Sequence, residues 1–248
     1  MSRVRRLAGL ARSLAIYHGS PLRTRRLARL YRPFVAPGAL AFDVGAHAGD
    51  RVRAFRRLGA RVVAVEPQPD FVRLLGAFFG EDPNVAVVAA AVGREAGEAA
   101  LLVSERTPTV TTLSHAWAAR VAADPAFRGV SWRPGPRVPV TTLDALADAH
   151  GTPDFVKLDV EGYEAEALAG LSRPIRALSF EYVGAARETA LACVERLETL
   201  GRYEFNWSPG ETQRLASGDW VGAGTIRAFL AGLAPGRGSG DVYARLVD

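Results

Sequence analysis

The chain has one cysteine, one methionine and one lysine among its 248 residues, and no acidic residue before position 43. A single cysteine, Cys193, excludes an internal disulfide and any zinc cage built from cysteines. It falls in a predicted helix over residues 187–200 and reads there as a small buried apolar side chain. A reducing, cytoplasmic setting is consistent with this usage. No apolar run approaches the roughly 18 residues that a membrane span needs. Residues 10–16 are interrupted by Arg12 and lack a signal-peptide cleavage pattern.

Charge is divided along the chain. Residues 1–42 hold nine arginines and no acid, so the remainder carries 22 basic against 26 acidic residues, a net of −4 beneath an overall +5. The high isoelectric point therefore belongs to the leader. Val4, Leu7, Leu10, Ala11 and Leu14 recur at helical spacing, which predicts a basic helical extension over residues 1–38 ahead of a domain over 39–248. Its apolar face either packs on the domain or brings residues 1–34 into peripheral contact with an anionic membrane surface. With 48% hydrophobic residues, the rest can bury one large core.

Strong local signals begin at residue 39. The apolar run Ala39, Leu40, Ala41, Phe42 ends in Asp43 and in Gly45-x-x-x-Gly49; Val52, Phe55 and Leu58 then share a helical face, and residues 61–65 form a second apolar run ending in Glu66. This is a strand, a glycine turn, a helix and a strand, the first half of a nucleoside-binding unit. An acid at a strand end roughly 20 residues past the turn suits a ribose diol. The spacing is not the G-x-G-x-x-G of a dinucleotide loop. Asp43 would repel a pyrophosphate, whereas it suits a ligand with an amino-acid end and a cationic centre, such as S-adenosyl-L-methionine.

Alternating strands and helices follow. A helix is predicted through Phe71, Leu74, Leu75 and Phe78, then a strand over 85–92 and a hairpin partner over 99–103. Residues 104–137 show little periodicity, and a stretch this long inside a domain reads as a wall or lid of the acceptor pocket. Thr141 or Thr142 caps a helix over 143–149; a strand over 155–160, a helix over 163–171 and a strand over 177–182 come next. Residues 203–207, 225–230 and 242–247 read as closing strands. The pattern predicts an α/β fold, a mostly parallel sheet with helices on both faces and ligands at the carboxyl ends of its strands.

A second constellation is Phe155-Val156-Lys157-Leu158-Asp159-Val160-Glu161-Gly162. Strand alternation points Lys157, Asp159 and Glu161 the same way. Ionisable groups in an apolar strand are costly unless paired or functional. They read either as a Lys157–Asp159 ion pair with Glu161 opening the next helix, or as part of an active site beside the Gly45 turn. Glu164 and Glu166 read as a solvated helix face.

Asp43-Val44-Gly45-Ala46-His47-Ala48-Gly49, Val65-Glu66-Pro67, Thr142-Leu143-Asp144 and the 156–162 segment, in this order, resemble the FkbM family of S-adenosylmethionine-dependent methyltransferases. The resemblance implies a class I, Rossmann-like methyltransferase fold and O-methylation of hydroxyls on natural products or sugars. It implies that Asp43, Gly45, Ala46, His47 and Gly49 hold the methionine end of the cofactor, Glu66 and Pro67 the ribose, and Ala91 and Val92 the adenine. Asp159 and Glu161 would face the methyl group and the acceptor. The family usually has Asn where this chain has His47, and often Thr near Arg51, so altered contacts are expected there. Asp159 is the first candidate base, with Glu161 and His115 behind it; any of them could instead hold a divalent cation, which no ligand spacing supports.

The expected acceptor is a small-molecule hydroxyl of a glycoside, polyketide or related metabolite, with no nucleic acid. An NAD-linked oxidoreductase is the less favoured alternative, because the glycine spacing is wrong and the one lysine, Lys157, completes no Tyr-x-x-x-Lys pair. A nucleic-acid methyltransferase fits the basic leader, but the strand ends in Asp159-Val160-Glu161-Gly162 and lacks an Asn/Asp-Pro-Pro-aromatic motif. A non-catalytic module that binds S-adenosylmethionine is the third alternative.

Overall fold

The computed structural model describes residues 21–104, 107–236 and 238–247. The hydrophobic repeat from Val4 to Leu14 lies outside the described residues. Helix α1 (Pro21–Tyr31) belongs to the body of the protein. Leu27, Leu30, Tyr31 and Phe34 recur at helical spacing and are buried. The Tyr31 ring meets Phe55 at 4.8 Å and Phe155 at 5.5 Å between centroids. Burying each such ring contributes about 1.5–3 kcal/mol. Arg23 fastens the start of the helix through Asp50, at 3.1 Å, and Glu211, at 3.0 Å.

The main sheet comprises β1 (Leu40–Val44), β2 (Arg61–Val65), β3 (Val85–Val88), β7 (Phe155–Leu158), β8 (Ala177–Val183), β9 (Tyr203–Pro209) and β10 (Ser239–Leu246). Their order is β3-β2-β1-β7-β8-β10-β9. Strands β3, β2, β1, β7 and β8 are parallel, and β10 runs antiparallel to both β8 and β9. The connections reverse direction between β1 and β7, and a crevice opens at the carboxyl ends of strands where that happens. Helices α2 (Asp50–Arg57), α3 (Pro69–Phe79), α5 (Leu143–His150), α6 (Glu164–Ala169), α7 (Arg187–Leu200) and α8 (Ala223–Ala231) surround the sheet, and α4 (His115–Val121) lies in the stretch of chain between Val103 and Arg133. The Thr142 hydroxyl accepts from the Ala145 amide and starts α5.

Three elements differ from the sequence expectation. Residues 85–92 are two strands in two sheets: after Val88 the chain leaves the main sheet, and β4 (Ala91–Val92) joins a small sheet ordered β4-β6-β5. In it β5 (Gly97–Val103) pairs with β6 (Arg133–Thr141), so the expected hairpin between the neighbouring strands is replaced by β6 inserted between them. Residues 225–230 are helical, because Ile226 and Leu230, four apart, are the buried pair. In α3 the buried phenylalanines are Phe71 and Phe79, while Phe78 is exposed.

Both glycines of the turn after β1 have positive φ, +83° at Gly45 and +81° at Gly49. A Cβ on Gly45 would lie 1.9 Å from the Asp159 carbonyl oxygen, so the turn abuts the end of β7 with no room for a side chain. At Gly49, the N-cap of α2, a Cβ would meet the Phe79 and Leu75 side chains at 2.6 and 2.9 Å. Gly49→Ala is therefore expected to destabilise the fold by about 1–3 kcal/mol. A melting temperature equal to the parent's would contradict this.

Candidate active site

The crevice at the ends of β1, β2 and β7 is a cleft of about 530 Å³, continuous with a second lobe of about 370 Å³ through Gly45, His47, Thr109, Asp159 and Glu161. Of the residues expected to hold the cofactor, Gly45, His47, Glu66, Pro67, Ala91, Val92 and Asp159 line the first lobe, and Ala46 lines the second. Two do not line the cleft. Asp43 lies beneath the turn, fully buried, and Gly49 serves the helix cap. His115, expected as a candidate base, is exposed on the first turn of α4 and likewise lines neither lobe. Trp117 and Trp132 pack edge to face at 6.0 Å in a satellite core.

His47 has φ +46°, in the left-handed region that Asn and His enter more readily than most residues. Its imidazole packs on Phe71 with ring centroids 3.8 Å apart. The His47 amide donates to one Glu66 oxygen at 2.9 Å and the Gln68 amide to the other at 2.8 Å. Those two bonds fix the carboxylate at the cleft edge and leave each oxygen able to accept again. Burial raises the Glu66 pKa to about 7 despite both amides.

Beneath the cleft runs a chain of charges. Lys157, wholly buried, bridges Asp159 at 3.2 Å and Asp241 at 3.0 Å. Arg51 contacts Asp50 at 3.1 Å and Asp159 at 3.7 Å. Burial pushes the Asp159 carboxyl up, but Lys157 first and Arg51 second outweigh it and hold the pKa below the usual range. Asp43 has no such ion pair among the described residues. Its buried Oδ2 has no hydrogen-bond partner among the described residues, and burial raises its pKa to about 7.

Asp159 and Glu161 are joined by a residue that the sequence reading missed. Glu181 on β8 brings a carboxylate oxygen to the pair, the three atoms lying within 4.8 Å of one another. These are the described residues whose donor set could hold a divalent cation. Burial raises the Glu161 pKa well above the ordinary value, helped by the charges of Asp159 and Glu164. Burial does the same at Glu181, followed by the charge of Glu161. Glu161 has φ +53°, and the Thr112 hydroxyl donates to its carbonyl at 2.6 Å. Glu161 therefore belongs to a fixed turn and does not open a helix. Glu164, expected on a solvated face, is buried, and its carboxylate accepts from the amides of Val160 (3.0 Å) and Gly162 (3.3 Å). Glu166 is half-buried and pairs with Arg94.

The strand order, the turn after β1 and the acid after β2 define a class I methyltransferase fold, Rossmann-like, with its crevice at the strand ends. The FkbM methyltransferase domain matches residues 43–229, and the chain belongs to this family of S-adenosylmethionine-dependent methyltransferases. No curated protein sequence matches the chain. Among solved structures, it is similar to precorrin-6Y C5,15-methyltransferase from Geobacter metallireducens, with 14% identity over 91% of this chain and 87% of that one and a TM-score of 0.47. A TehB-like S-adenosylmethionine-dependent methyltransferase from Corynebacterium glutamicum shares 14% identity over 97% and 96% of the two chains, with a TM-score of 0.45. Fibrillarin from Aeropyrum pernix, solved with natively bound S-adenosyl-L-methionine, shares 12% over 85% and 68%, with a TM-score of 0.42.

The residues present fit that cofactor. Glu66 offers free acceptor lone pairs for a diol, the acids at the end of β7 suit a cation, and Ala91, Val92 and Leu101 offer an apolar wall for a base. Among the described residues, no helix is long and apolar enough to cross a membrane.

Proposed function

We propose that the protein O-methylates a hydroxyl of a small polar acceptor, such as a glycoside or related metabolite, with Glu161 as proton acceptor. When bound, S-adenosylmethionine supplies a methyl group already activated on a sulfonium. The residues of the chain then have two tasks. Asp159, kept ionised by Lys157 and Arg51, favours positive charge beside the Gly45 turn. Because its pKa is held low it is a weak base, which reverses the ranking of the two acids expected from sequence. Glu161, whose pKa burial raises above the ordinary carboxylate value, is suited to accepting a hydroxyl proton as the bond forms. Glu181 beside it can share that proton or hold a neighbouring hydroxyl of a polyol. The observation that carries the reading is geometric: Asp159, locked by Lys157 and Arg51, and Glu161, which lacks such a lock among the described residues, line one cleft beside the Gly45 turn.

The test is transfer from methyl-deuterated S-adenosylmethionine to a panel of glycosides, polyols, phenols and amines, with products read by mass and carbon NMR. A deuterated methoxyl product is expected. Label on nitrogen or carbon, or no transfer by a protein that binds S-adenosylhomocysteine, would overturn it.

A further inference from the structure

We infer that the Thr111 hydroxyl reads the edge of the adenine base, making residues 107–113 the wall that selects the nucleoside. The inference rests on the assignment of the cleft to S-adenosylmethionine and extends it to a residue outside the family's sequence motifs quoted above. Thr111 is nine-tenths buried and lines the cleft, yet its Oγ1 has no hydrogen-bond partner among the described residues. A buried hydroxyl left unpaired costs about 1–3 kcal/mol, so an orphan in the wall of a cleft points to a partner that arrives with the ligand.

The chemistry of that partner follows from the surroundings. Leu102 and Thr112 form an antiparallel bridge, so side chains alternate across it. Leu102 joins the core around Trp117, whereas Leu101 packs with Ala91 and Leu113 on the opposite face. Thr111, two residues from Leu113, shares that second face. Its hydroxyl is therefore a polar point beside Ala91, Leu101 and Leu113, in the part of the cleft wall where apolar side chains gather. A flat heteroaromatic ring with nitrogens on its rim matches this part of the wall; a sugar or an amino-acid end does not. The hydroxyl can donate to a ring nitrogen or accept from an exocyclic amine.

The wall is held in place before any ligand binds. The Trp132 indole donates to the Val110 carbonyl at 2.7 Å, Gln68 Nε2 to the Pro108 carbonyl at 3.3 Å, and Thr112 Oγ1 to the Glu161 carbonyl at 2.6 Å. One short segment thus links the turn after β2 to the turn carrying Glu161. Fixing the hydroxyl in advance lowers the ordering cost of the contact.

The experiment measures binding of S-adenosylhomocysteine and of S-ribosylhomocysteine, which lacks the base, to the parent, Thr111→Val and Thr111→Ser by displacement calorimetry. The parent is expected to prefer S-adenosylhomocysteine. Thr111→Val should lose about three- to tenfold of that preference with S-ribosylhomocysteine affinity unchanged, and Thr111→Ser should keep it. Equal preference in the parent and Thr111→Val overturns the role of Thr111 while leaving the cofactor site standing. A parent that binds neither compound overturns both.

Discussion

Replacing Lys157 with methionine is expected to lower the unfolding free energy by about 3–5 kcal/mol, the usual cost of removing one partner from a buried ion pair. The side chain is wholly buried and ties Asp159 to Asp241, which come from different strands on either side of β8. Methionine fills the volume but leaves two carboxylates facing each other with Arg51 alone to offset them. The loss should depend on pH in a defined direction. In the parent, Asp159 has a depressed pKa, so its contribution to stability is present above the unfolded value of 3.8 and lost as pH falls below it. Without Lys157 that pKa rises, and the variant should instead gain stability as pH is lowered from 7 towards 5. Urea titrations at both pH values, with Lys157→Met/Asp241→Asn as a partial rescue, check this. A variant within about 1 kcal/mol of the parent at pH 7 would show that the bridge carries no net stability.

The same physics sets a background slope. Asp43, Glu66 and Glu164 are buried with pKa values of about 7, so the folded state binds protons that the unfolded chain releases between pH 4 and 7. Stability from these groups is full at the acid end of that window and falls as pH rises through it, flattening above 7. Neutralising Asp43 with asparagine should raise the melting temperature at pH 8 and leave it nearly unchanged at pH 5. A rise of the same size at both pH values would contradict the shift.

How much of this was legible in the sequence depended on whether the signal was local. Strands β1, β2 and β7 could be read because each is a short, largely apolar run with an acid at its end, followed by a turn rich in glycine (after β1 and β7) or proline (after β2). The run of residues 85–92 could not be divided, since Ala89, Ala90 and Ala91 carry neither a breaker nor a change of period where the chain passes between sheets. Residues 225–230 misled because Ile226, Ala228 and Leu230 also satisfy a period of two, and only burial separates that reading from a helix. The candidate site was half visible. Asp159 and Glu161 lie in one motif, but Glu181 joins them through the pairing of β7 with β8, a neighbour relation that no spacing encodes. One signal was available: a carboxylate between Phe180 and Tyr182 in an otherwise buried strand. Glu164 was misplaced for a related reason. An acid on the first turn of a helix ordinarily faces water, but here the amides of Val160 and Gly162 need an acceptor inside the fold.

Glu161→Gln is expected to cut turnover by about 10²–10⁴-fold, the usual contribution of a positioned base, while S-adenosylhomocysteine affinity changes little. The amide keeps the shape and the backbone contact from Thr112, which uses the Glu161 carbonyl and not its side chain. What is lost is the capacity to take a proton. The parent's rate should fall as pH drops through the raised pKa of Glu161, placing the acid limb above the ordinary carboxylate range. Burial pushes that limb up first, followed by the charges of Asp159 and Glu164, while Lys157 pulls it down, and Glu161 in turn raises its neighbour Glu181. Glu161 and Glu181 titrate as a pair, so Glu181→Gln should move the limb to lower pH while Glu161→Gln abolishes it. Asp159→Asn supplies the contrast: it removes an ionised partner of Lys157 and Arg51, so cofactor affinity should fall with rate and the limb should persist. If Asp159→Asn erased the limb and Glu161→Gln preserved it, the two carboxylates would have to exchange roles.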